Sequence, residues 1–73
     1  MRENLHVVFK DNEWKIKEEN SDNYLKSFSR KEDAIEYGKK EAKSKRSELF
    51  IHDKNNTIID RNSYGNDNYP PKG

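Results

Sequence analysis

Only one stretch of this 73-residue chain carries helical periodicity, and its spacing restricts what it can pack against. Ala34, Gly38 and Ala42 stand four apart and so share one helix face, with Ile35 the sole large aliphatic beside them. Such a stripe lets a helix backbone sit close to a flat surface. That closeness gives a reason for a mid-helix glycine that costs about 1 kcal/mol of propensity. Tyr37 and the stem of Lys39 flank the stripe, so the bulk of the core must come from the opposing surface. Ser29 followed by Glu32 has capping-box spacing. Glu32 and Asp33 fall in the first turn, and Lys43, Lys45 and Arg46 in the last, which complements the helix dipole. These signals predict a helix over 30–45 with Ser29 as its N-cap.

The rest of the regular pattern has a period of two. In 5–10, Leu5, Val7 and Phe9 oppose His6, Val8 and Lys10; in 14–18, Trp14 and Ile16 oppose Lys15 and Lys17. The turn formers Asp11-Asn12-Glu13 between them predict a hairpin. A third strand is expected at 24–28 and two more at 47–52 and 57–61, around the turn DKNN, in which Asn55 or Asn56 adopts the left-handed conformation. The order β-β-β-α-β-β predicts an α+β fold, one mostly antiparallel sheet with one helix across one face. The domain is expected at 1–62, followed by an irregular tail at 63–73 that is a candidate to dock on the sheet.

Composition says how much such a fold has to work with. Leu, Ile, Val and Phe total thirteen and 40% of the residues are charged, but 15 basic against 14 acidic side chains leave a formal charge of only +1, so self-repulsion does not open the chain. With no cysteine there are no disulfides, thiolate zinc sites or thiol nucleophiles. No apolar run approaches a membrane span, and MRENLHVVFK lacks a signal-peptide core, so the expected location is the cytoplasm.

A single slender helix covers one face of a sheet that is apolar on both. Val8, Leu25, Phe50 and Ile59 are expected on the uncovered side, as an apolar patch that Tyr64 and Tyr69 of the tail, or a second copy of the chain, would cover.

Taken together, His6-Val7-Val8, Trp14, Ala34-Ile35, Glu48 to His52 and the closing Arg61-Asn62-Ser63-Tyr64-Gly65-Asn66-Asp67 resemble a bacterial and phage family, the domain of unknown function 2188. Where that family usually has glycine before the tryptophan and an Asp-Gly turn near 55–56, this chain has Glu13 and Asn55-Asn56. The resemblance implies the extent of the fold and no activity.

Three chemistries can be weighed on the residues. His6 and His52 share the outer face by alternation. If the first and fourth strands are neighbours the imidazoles approach, with Asp53 or Asp60 as a third metal ligand; without fixed spacing, surface histidines are the better reading and no metal or cofactor is expected. There is no G-x-S-x-G elbow and no glycine-rich phosphate loop, so the expectation is a protein that is not an enzyme and has no small-molecule substrate. Finally, the segment 39–46 gathers Lys39, Lys40, Lys43, Lys45 and Arg46 against Glu41 alone, a candidate nucleic-acid contact. The leading expectation is an interaction module that binds a protein partner or a second copy through a sheet face or edge strand; the alternative is weak, sequence-tolerant nucleic-acid binding.

Overall fold

The computed structural model describes residues 3–64. Five strands and one helix follow in the expected order: β1 (Leu5–Lys10), β2 (Glu13–Glu18), β3 (Tyr24–Phe28), α1 (Lys31–Lys45), β4 (Glu48–His52) and β5 (Ile58–Ser63). The fold is α+β, a five-stranded sheet in the order β3-β2-β1-β4-β5. Its pairs are antiparallel except β1 with β4, which run parallel because α1 carries the chain back across the sheet.

The β1–β2 hairpin closes through the two residues Asp11 and Asn12, at φ 54° and 66°. Both are left-handed, as a type I′ turn requires, so the twist of the turn matches that of the strands even without glycine. Asn56 takes the same conformation, at φ 66°, in the β4–β5 loop. The Asp53 carboxylate holds that loop by accepting the backbone N–H of Asn55 at 2.8 Å and of Thr57 at 3.0 Å.

On the covered side, Leu5, Val7, Trp14, Ile16, Leu49 and Ile51 pack with Ala34 and Ala42 of the helix. Gly38 makes the approach possible: a Cβ there would lie 2.9 Å from Leu49 Cδ1 and 3.4 Å from Ile16 Cδ1. Phe9 tilts onto Trp14 at 4.8 Å and Phe28 onto Tyr37 at 5.5 Å between ring centroids, which closes the core at its margin. The aromatic Trp14 is a core residue.

The helix starts one residue later than expected, and the capping box is not formed. Arg30, extended at φ −116°, is the N-cap, and no side chain among the described residues caps it. Its carbonyl accepts the Ala34 N–H at 3.3 Å. The C-terminus is closed by the backbone: Arg46 is left-handed at φ 53°, its N–H reaches the Lys43 carbonyl at 3.3 Å, and the Ser47 N–H reaches the Ala42 carbonyl at 2.9 Å. This pairing is a Schellman closure. β5 runs through Ser63, and the Tyr64 N–H bonds the Ser47 carbonyl at 3.1 Å. β5 therefore runs two residues past the expected strand end at 61.

Candidate functional site: the uncovered sheet face and its edges

The strand order separates the residues expected to form one patch. Val8 and Phe50 do lie on the face away from α1, and both are half-buried by their neighbours. Leu25 and Ile59 stand instead at opposite edges of the sheet, on β3 and β5. With three strands between them, the edges are roughly 19 Å apart. Each of the two residues is the extra one of a register slip: Ile16 pairs with Lys26 and Lys17 with Tyr24, while Ile51 pairs with Asp60 and His52 with Ile58. Tyr64 is on the other side altogether, packed against the helix-side core. Tyr69 lies outside the described residues.

Apolar exposure is thus concentrated at the edges. Ile58 and Ile59 are each 51% exposed on β5, and Tyr24 and Leu25 are 38% and 40% exposed on β3. Sequence reasoning placed one isoleucine of the pair on the open face; the bulge that exposes both depends on how β5 meets β4, and nothing local announces it.

The five basic candidates separate in the same way. Lys39, Lys40 and Lys43 line one groove of about 410 Å³ with Ser44 and Tyr64. Lys45 reaches across to β2, donating to Glu18 Oε2 at 3.1 Å. Arg46 occupies the left-handed helix terminus.

The open face holds its own cluster at the centre. Because β1 and β4 are neighbours, His6 and His52 meet, with His6 Nδ1 2.8 Å from His52 Nε2. The His6 ring stacks on Phe50 at 4.9 Å between centroids, 20° from parallel. Its Nε2 lies 3.2 Å from Glu19 Oε1, and His52 Nδ1 lies 3.3 Å from the Asn56 carbonyl oxygen. Burial holds the His6 imidazole below the ordinary histidine value; the Glu19 hydrogen bond and charge oppose this, and the charges of His52 and Lys17 add to the lowering.

Neither of the two candidates for a third metal ligand joins the pair. Asp53 Oδ1 is occupied by the backbone N–H groups of its own loop, and Asp60 Oδ1 accepts the Arg61 N–H at 2.8 Å. Among the described residues no group of three His, Cys, Asp or Glu side chains is placed to hold a metal ion. No helix among them is long and apolar enough to cross a membrane.

The family described as "Uncharacterized protein conserved in bacteria (DUF2188)" matches residues 5–64, from the first residue of β1 to Tyr64. The chain belongs to this family. The match takes in all five strands and the helix. It ends short of Gly65-Asn66-Asp67, which the sequence resemblance included. No curated protein and no solved structure matches the chain.

Proposed function

We propose that this member of the family is a non-enzymatic interaction module that associates with a second copy of itself through the free edge of β5. One observation carries the reading: Ile58 and Ile59, adjacent and half exposed, sit on an edge strand whose outer side has no partner strand among the described residues. An edge strand presents a row of backbone donors and acceptors. Natural sheets guard such rows with proline, charged side chains or bulges; Ile58–Ser63 has no lysine or proline, and its guards are confined to Asp60, Arg61 and the bulge at Ile59. The near-zero net charge adds no long-range repulsion between copies. A two-fold pairing of the same edge closes on itself and yields a dimer, not a filament.

A contact along one edge belongs with weak interfaces of less than about 1,200 Å². Sedimentation equilibrium on the full chain up to about 1 mM is therefore the test, with Ile59→Lys as the variant and circular dichroism confirming that it folds. The expected result is a reversible dimer that the substitution abolishes. A wild-type monomer throughout that range would overturn the proposal, and so would a dimer indifferent to Ile59→Lys.

The second reading, sequence-tolerant nucleic-acid binding, is supported by the convergence of Lys39, Lys40 and Lys43 with the Tyr64 ring on one groove. It requires anisotropy changes with a labelled single strand that weaken steeply as salt rises and disappear in Lys39→Glu/Lys43→Glu. No change at low salt removes it.

A further inference from the structure

The His6–His52 contact has a proton count that two neutral rings cannot satisfy. His52 Nδ1 faces the Asn56 carbonyl oxygen, which only accepts, so this nitrogen carries a proton. His6 Nε2 faces Glu19 Oε1, and an ionised carboxylate also only accepts, so this nitrogen carries a second. The remaining two nitrogens, His6 Nδ1 and His52 Nε2, point at each other across 2.8 Å. With no proton between them, two lone pairs would oppose each other at hydrogen-bond distance. Two neutral imidazoles supply two protons in all; the geometry has places for three.

We infer that His6 and His52 hold three ring protons between them, one shared in their mutual contact, and so form a single-proton site: a monocationic pair with Glu19 as counter-ion. The surroundings fit one positive charge and resist two. Glu19 is itself held in place, since its Oε1 also accepts from Asn4 Nδ2 at 3.3 Å. Lys17 stands opposite His6 in the β1–β2 register, and Arg61 opposite Phe50 on β5. Asp53, next to His52, is engaged with its loop, and Ile58 opposite His52 brings no charge. The helix packs on the other face. This site is independent of the edge-strand reading.

The consequence is a two-sided dependence of stability on pH. The unfolded chain has two separate histidines near 6.5, binding two protons well below that value and none well above it. On the proton count above, the folded pair keeps one across the range in which the unfolded histidines titrate. Below about 6.5 the unfolded state binds the extra proton, so stability falls as pH falls; above it the folded state does, so stability falls as pH rises. If the rings were unlinked and His6 merely lowered, only the acid limb would exist.

The test is urea denaturation from about pH 5 to about pH 9 for the wild type and for His52→Gln, taking the difference between the two curves. The expected difference is a bell whose maximum lies somewhat below about 6.5, because burial keeps the lone His6 of the variant below its ordinary value, with each limb steepening toward a ten-fold change in the folding constant per pH unit. A difference that rises monotonically with pH would overturn the inference. Should His52→Gln fail to fold, the wild type alone decides through ring ¹⁵N shifts of dilute protein at neutral pH: three protonated ring nitrogens are expected, and two would refute the shared proton. Glu19→Gln, which keeps an acceptor and removes the charge, is expected to move the alkaline limb to lower pH, and an unmoved limb would remove Glu19 as the counter-ion.

Discussion

Gly38→Leu tests the central packing claim most directly. A Cβ at this position would lie 2.9 Å from Leu49 Cδ1, 3.3 Å from Leu49 Cδ2 and 3.4 Å from Ile16 Cδ1. These are the ends of flexible side chains, but Leu49 and Ile16 are both 0% exposed, so their methyl groups have nowhere to retreat. Replacing glycine in a helix interior returns about 1 kcal/mol of propensity. Alanine adds only the first clashing carbon, so gain and strain nearly cancel and Gly38→Ala is expected within about 1 kcal/mol of the wild type. Leucine drives three further carbons into the same space, at the upper end of the 1–3 kcal/mol or so typical of overpacking. The net loss is about 2 kcal/mol, equivalent to a fall in Tm of roughly 8–16 °C in a domain of this size. Urea denaturation with an unchanged m-value is the appropriate measurement. A cycle with Leu49→Ala adds a check, because the vacated leucine volume would accommodate the new methyl group, and Gly38→Ala should then be stabilising in that background. If Gly38→Leu raises stability, the helix does not face the sheet through Gly38 and the core assignment fails.

Three further substitutions follow from details of the fold. Ser29→Ala is expected to change stability by less than about 0.5 kcal/mol, because the N-cap is Arg30; a loss near 1 kcal/mol in denaturant titration would restore Ser29 as the cap. Ser47 is 3% exposed and its Oγ has no hydrogen-bond partner among the described residues, so Ser47→Ala, which keeps the backbone bonds of this residue to Ala42 and Tyr64, is expected to be neutral or to stabilise by up to about 1 kcal/mol; clear destabilisation refutes the orphaned hydroxyl. Asn12→Gly relieves a left-handed residue in the type I′ turn and is expected to raise the melting temperature, by up to about 1 kcal/mol in stability. A lower Tm would mean that the Asn12 side chain contributes more than its backbone costs.

Much of the architecture could be read along the chain because the signals were local and repeated. Alternation placed Leu5, Val7, Trp14 and Ile16 on the covered face, and the β3 bounds match the expected 24–28. The spacing of Ala34, Gly38 and Ala42 named the buried stripe of α1. The capping box failed because its spacing is only permissive: a Ser-x-x-Glu sequence can cap a helix, but the chain leaves β3 through a bend at Ser29–Arg30 and turns helical one residue on.

What an isolated sequence determines here is the set of elements and their buried faces, since periodicity and turn chemistry act over a few residues. Neighbour relations across the sheet were decided only by the tertiary structure. It took the crossover of α1 to lay β4 beside β1 in parallel, 46 residues apart between His6 and His52, and so to bring the two imidazoles together. The same strand order put Leu25 and Ile59 at opposite margins, and the bulge pairing β5 with β4 turned both isoleucines outward. Pairing between distant segments is chosen by the fit of the whole core, and no single stretch of chain contains that information.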